Sequence, residues 1–182
     1  MSKDRNSKLP ADGDLDRARR LVAEAAQLLG QHRPGEAVPL LLKARELEPD
    51  NAAAAINLGG AYILQGKHKQ ATPVLEEAAR LEPDNAMVWT NLAATYLGKL
   101  PFASREMQDK AIAAFNTALR LNPRAPHVNY NLGLIYMEQH DIEQAALHFY
   151  AALETDPNDR DAELWLNRIR RGEVGKAEPP EN

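Results

Sequence analysis

The feature that most constrains this chain is a motif that returns four times in phase. Ala44-Arg-Glu-Leu-Glu-Pro49, Ala78-Ala-Arg-Leu-Glu-Pro83, Ala118-Leu-Arg-Leu-Asn-Pro123 and Ala152-Leu-Glu-Thr-Asp-Pro157 end alike, with their prolines 34, 40 and 34 residues apart. Each proline is preceded at one fixed interval by Ala37, Ala71, Ala111 and Ala145, and at another by Leu41, Leu75, Phe115 and Phe149. Earlier in the units stand Leu58-Gly59 with Tyr62, Leu92-Ala93 with Tyr96, and Leu132-Gly133 with Tyr136; Trp89 lies just before Leu92. A fixed period of this length is the mark of a stacked repeat, in which one unit cannot bury its own apolar face and neighbours share a continuous core.

Inside each unit the apolar residues recur every three or four positions, as on a helix, and a breaker such as Gly66 falls midway. Proline ends the second helix, and Asp50-Asn51 or Asp84-Asn85 supplies an N-cap for the next one. Gly59 and Gly133 stand in helix interiors, where glycine costs about 0.8–1 kcal/mol. That cost makes sense if another helix approaches closely there.

The pattern resembles the tetratricopeptide repeat family, from about Leu15 to Pro157. The resemblance implies an all-α fold: a right-handed α-solenoid of four helix-turn-helix units plus a C-terminal capping helix. The units are expected at about 15–51, 52–85, 86–125 and 126–159, with the cap at 160–172. The first unit departs most, with Leu21, Glu24, Ala25 and Leu28 at the positions of Trp, Leu, Gly and Tyr; end units are commonly atypical. Asp14 is the expected cap of the first helix, and residues 1–13 and 173–182 are expected to be disordered. The third unit carries six extra residues around Leu100-Pro-Phe102, and its second helix is expected to restart near Ser104. Leu100 and Phe102 would either touch a partner or fold back on their own repeat.

Composition narrows function by exclusion. The net charge of −4 is spread along the chain, without the basic footprint of a nucleic-acid binder. Arg168, Arg170 and Arg171 read as a solvated helix end, where cations are favoured. No cysteine is present, so disulfide frameworks and thiolate metal sites are excluded. The start lacks an apolar signal region, and no apolar run reaches the roughly 20 residues that span a bilayer. No membrane insertion is expected, and a cytoplasmic location is the default. His32, His68, His127, His140 and His148 form no zinc pattern, and no phosphate loop or nucleophile elbow occurs. The reading is a non-enzyme without cofactor or metal.

The first helix of each pair lines the concave face, as the resemblance implies. Ala52 to Gln65 and Ala86 to Gly98 contain no Lys, Arg, Asp or Glu, and Pro126 to Met137 has only His127 as a titratable group of ordinary pH. A helix needs only about a 100° apolar stripe for packing. The side away from Leu58 (Ile56, Ile63 and Leu64 among others) is apolar as well, and the corresponding residues further on include Met87, Tyr130, Leu134 and Met137. These faces predict either an apolar groove or a closely wound stack. Asn57, Asn91 and Asn131 recur once per unit, and their amides suit an extended peptide's N–H and C=O or a neighbouring helix. Trp165 occupies the next matching position, as an aromatic anchor or as a packed residue.

Some members of the family grip a partner's C-terminal carboxylate with groove-facing Lys and Arg. The aligned positions here hold Val22, Ala26, Met87 and Asn91, or Ile56, Gly60, His127 and Asn131, with no cation. The expectation is therefore an interaction scaffold holding a protein or peptide partner in an apolar, Asn-lined groove. The alternatives are a structural module that homo-oligomerises through the same surface and a docking subunit of a secretion, envelope or signalling assembly.

Overall fold

A computed structural model of the chain describes residues 12–98, 100 and 103–174. The expected disorder of residues 1–11 and 175–182 lies outside the described residues, as does Phe102 of the insertion. Among the described residues the regular elements are nine α-helices, joined by turns and one short 3-10 segment at Leu100. They are α1 (Asp12–Gly30), α2 (Pro34–Leu47), α3 (Ala52–Leu64), α4 (His68–Leu81), α5 (Ala86–Leu97), α6 (Arg105–Leu121), α7 (Val128–Glu138), α8 (Ile142–Thr155) and α9 (Arg160–Arg170). The helices form two compact units, the first ending at Pro83 and the second beginning at Asp84. No described helix is long and apolar enough to cross a membrane.

The repeat is visible in the turns. Each second helix has as its C-cap the residue before its proline: Glu48, Glu82, Asn122 and Asp156 have φ of −139°, −129°, −138° and −131°. Steric clash with the proline ring pushes the preceding residue out of the helical region, so the helix stops at one place in every unit. Within the units, α1, α3, α7 and α9 close with the same paired hydrogen bonds. After α3, Gly66 N–H donates to Ile63 O (2.8 Å) and Lys67 N–H to Tyr62 O (2.8 Å); after α7, His140 and Asp141 do the same to Met137 and Tyr136 (3.0 and 2.9 Å). This closure needs a left-handed residue, usually glycine. Gly66 has φ of 68°, and His32 and His140 occupy the matching positions at 56° and 59°.

In the first unit, α3 packs against α1, α2 and α4. A Cβ at Gly59 would stand 2.4 Å from Leu75 Cγ of α4, and one at Gly133 in the second unit 2.6 Å from Phe149 Cε1 of α8. Both glycines are therefore the close approaches that their cost implied. Arg45 of α2 and Glu77 of α4 form a half-buried ion pair. Glu24 is exposed where the equivalent Leu58, Leu92 and Leu132 are buried, so the irregular first repeat keeps its charge in water. Helix α1 begins at Asp12, which corrects two expectations: residues 12 and 13 are helical, and Asp14 lies inside the helix instead of capping it.

The second unit contains the long repeat. Leu100 packs against its core of Ala93, Phe115, Leu132 and neighbours, so this part of the insertion folds back on its own unit. Helix α6 restarts as expected: Ser104 is its N-cap, with Oγ accepting from Met107 N–H. Buried Gln108 donates from Nε2 to Ala103 O (3.2 Å) and accepts from Gln139 Nε2 (3.0 Å), tying the restart to the end of α7.

Candidate interaction surfaces

Asn51 and Asn85 cap α3 and α5, accepting from Ala54 N–H and Met87 N–H. At the head of α7 the corresponding residue is Ala125, which has no side-chain acceptor, and Pro126 follows it. The helix starts late, at Val128, and His127 turns left-handed (φ 60°) with no side-chain cap. A cavity of about 230 Å³ lies at this irregular start. Its walls include His127, Asn129 and Tyr130 on one side and Thr155, Asp156 and Asp159 on the other. A second, more open cleft of about 240 Å³ runs between α5 and α6, past Trp89, Tyr96 and Lys110.

The residues expected to form the groove meet different fates. Met87 is 55 % exposed and Leu64 56 %, so the charge-free faces of α5 and α3 do present large apolar side chains to water. Ile56 is a correction. It is buried (6 % exposed), because α3 is covered by several neighbours and its apolar arc serves packing over a wider angle than a single-stripe helix needs. Ile63 and Asn57 are half-buried in the first unit, and Asn91 is half-buried in the second.

Tyr130, Leu134 and Met137 are half-buried and share one core with Phe149, Ala162, Leu166 and Trp165. The Tyr130 and Phe149 rings lie 5.9 Å apart, and Phe149 stacks on Trp165 at 6.0 Å with 2° between planes. Packing by α8 and α9 thus covers much of this set. The Tyr130 hydroxyl is held above its ordinary pKa chiefly by burial, opposed by a hydrogen bond with Trp165 and reinforced by the charges of Asp161 and Asp159. Asn131 donates from Nδ2 to His127 O (2.9 Å), so one of its two amide hydrogens already serves its own helix. Arg168 lies 4.7 Å over the Trp165 ring, and Arg170 lies over Tyr150 while donating to its hydroxyl (3.0 Å). Two of the three terminal arginines therefore cover aromatic surface as well as facing water.

Sequence reasoning missed other surfaces. Leu42 on α2, Leu147 and Tyr150 on α8 and Leu164 on α9 are also large and exposed. Exposed apolar residues are therefore not confined to the first helices. His148 is half-buried, its ring stacked on Tyr136 (5.3 Å) and its Nδ1 3.1 Å from Asn129 Oδ1; burial lowers its pKa. Among the described residues no cluster of three or more His, Asp or Glu is placed to hold a metal ion.

With this geometry in hand, comparison with known proteins is consistent throughout. Two family models described as Tetratricopeptide repeat match residues 28–95 and 109–160. No curated protein matches the sequence. Among solved structures, MamA from Desulfovibrio magneticus RS-1 is 25 % identical with a TM-score of 0.68, covering 78 % of this chain and 77 % of its own. YrrB, described as a TPR protein with an unusual peptide-binding site, is 22 % identical with a TM-score of 0.70, over 89 % and 79 % of the two chains. The first TPR of Spaghetti (RPAP3), bound to an HSP90 peptide, is 24 % identical with a TM-score of 0.59, over 66 % and 94 %. The phased motifs, the paired-helix geometry and these matches agree: this chain is an all-α solenoid protein of the tetratricopeptide repeat family.

Proposed function

We propose that the protein is an interaction scaffold whose first helices hold a peptide or a partner protein. The observation that carries this reading is the absence of Lys, Arg, Asp and Glu from α3 and α5 together with the exposure of Leu64 and Met87 on them. Solvated helix faces are ordinarily charged, and an exposed apolar side chain on a charge-free face gains free energy when a partner covers it. The peptide-bound and peptide-binding relatives of the same fold support the assignment. Asn57 and Asn91 would supply amide contacts to the partner backbone, and the units would follow the repeat boundaries given above. An acidic C-terminal tail is not the proposed occupant, since the aligned groove positions carry no Lys or Arg.

The test is affinity capture with the full chain from its native lysate, identification of the partner, and repetition with Met87→Glu and with Asn57→Ala/Asn91→Ala. Met87 is chosen because its exposure lets the variant fold. The reading expects Met87→Glu to weaken capture strongly and the asparagine variant to weaken it in part. Unchanged capture by both would remove these helices from the interface. Exposed Leu147 and Leu164 motivate a second reading, self-association. Sedimentation across a concentration series decides it, because a monomer at high concentration excludes that reading.

A further inference from the structure

The cavity at the head of α7 has a chemistry of its own. Its 230 Å³ is below the roughly 300–1,000 Å³ of drug-sized ligand sites and suits the end of one side chain. Its lining includes Tyr130 of α7 together with Thr155 and Asp156 at the end of α8 and Asp159 at the head of α9. In each aspartate Oδ1 is engaged by backbone N–H groups: Asn158 donates to Asp156 (3.0 Å), and Asp161 and Ala162 donate to Asp159 (3.1 and 3.0 Å). No ion pair to a described lysine or arginine neutralises either one, although Arg160 adjoins Asp159 in sequence. Thr155 Oγ1 donates to Ala151 O, leaving the hydroxyl able to accept.

We propose that this cavity takes one arginine side chain of a bound peptide, with the guanidinium against the Tyr130 ring and its N–H groups donating to Asp156 and Asp159. The inference rests on the peptide-binding reading above and adds a specificity to it. Charge complementarity selects a cation, since the cavity lining offers two carboxylates and no Lys or Arg. The lack of a third carboxylate or imidazole in metal-binding placement disfavours a bare ion. A planar fork that stacks on an aromatic ring while bonding carboxylates is the property of guanidinium; an ammonium is a point charge. Of the helix ends at this place, the C-terminus of α8 favours a cation and the N-termini of α7 and α9 oppose one, so the carboxylates and not the helix dipoles carry the selection.

The test uses the full ¹⁵N-labelled chain and three blocked pentapeptides, acetyl-Gly-Ser-X-Ser-Gly-amide, with X arginine, lysine or citrulline. Amide shifts are followed up to millimolar peptide, the range expected of a single side chain. The arginine peptide is expected to move Asn129, Tyr130, Thr155 and Asp156 saturably, and citrulline, its neutral isostere, to move none of them. Asp156→Asn/Asp159→Asn keeps both turn-capping acceptors and is expected to weaken the response about tenfold, the scale of a charge-assisted bond. The single variants repeat the test if the double variant does not fold. Equal response to lysine or citrulline, no response at all, or shifts that instead follow Glu106 and Asp109 on α6 would each overturn the assignment. A partner captured through Met87 beside an unmoved cavity sinks this inference alone; failure to capture any partner sinks the reading beneath it.

Discussion

The substitution His140→Gly should stabilise the protein. His140 closes α7 with φ of 59°, the position held by Gly66 at the end of α3. Its side chain is exposed and its imidazole makes no hydrogen bond to a described residue, so the replacement acts chiefly by taking the Cβ from a left-handed residue. That conformation costs an L-residue about 1–2 kcal/mol, against the roughly 0.5–1 kcal/mol by which glycine's freedom favours the unfolded chain. The net gain is about 0.5–1 kcal/mol, or a rise in Tm of about 1–4 °C for a chain of this size. Trp89 and Trp165 are the only tryptophans and both belong to the second unit, so their fluorescence reports on the unit that contains His140. Urea unfolding followed by this emission should show a higher midpoint at unchanged slope. Gly66→Ala is the mirror experiment, read by circular dichroism, and should cost about 1 kcal/mol. A lower midpoint for His140→Gly would refute the reasoning, as would a neutral Gly66→Ala; either means that the closure is not governed by backbone conformation.

Further outcomes follow from the same contacts. Phe149→Ala removes a fully buried ring that stacks on Trp165 and meets Tyr130; it should cost about 3–5 kcal/mol and shift tryptophan emission to the red. Asp159→Ala removes the acceptor for two N–H groups at the head of α9 and should cost about 1 kcal/mol, while Asp159→Asn stays within a few tenths; chemical unfolding separates them. Burial depresses the His148 pKa, so below about pH 6.5 the unfolded chain takes up a proton before the folded one does. Stability should therefore fall as pH drops from 7 to 5, and His148→Asn should flatten that slope in unfolding curves recorded across the range.

What was legible in the sequence was whatever depends on a residue and its chain neighbours. A proline restricts the residue before it wherever it stands, so the four helix ends could be placed without knowledge of tertiary contacts. Gly59 and Gly133 announced close approaches because nothing local recommends glycine there, and Leu75 and Phe149 fill the space. Exposure is another matter, since it depends on which helices lie over a face. Ile56 and Met87 look alike in a helical projection of charge-free helices, yet one is buried and the other is open. Period alone cannot separate them, because the same apolar residue serves for packing or for docking according to its cover.

The cavity shows the same limit from the opposite side. Asp156 stands where the earlier units have Glu48, Glu82 and Asn122, and Asp159 stands where they have Asn51, Asn85 and Ala125. Read singly, each is an ordinary turn or cap residue, and each does make those turn and cap hydrogen bonds. Only at the last junction are both acidic. That junction also lies across from the one described first helix of a repeat that starts late because its capping asparagine is missing. Two departures from the repeat about thirty residues apart, one that adds charge and one that shortens a helix, meet at a single place. A repeat scaffold acquires specificity in this way: the period supplies the stack, and the positions where it lapses supply the site.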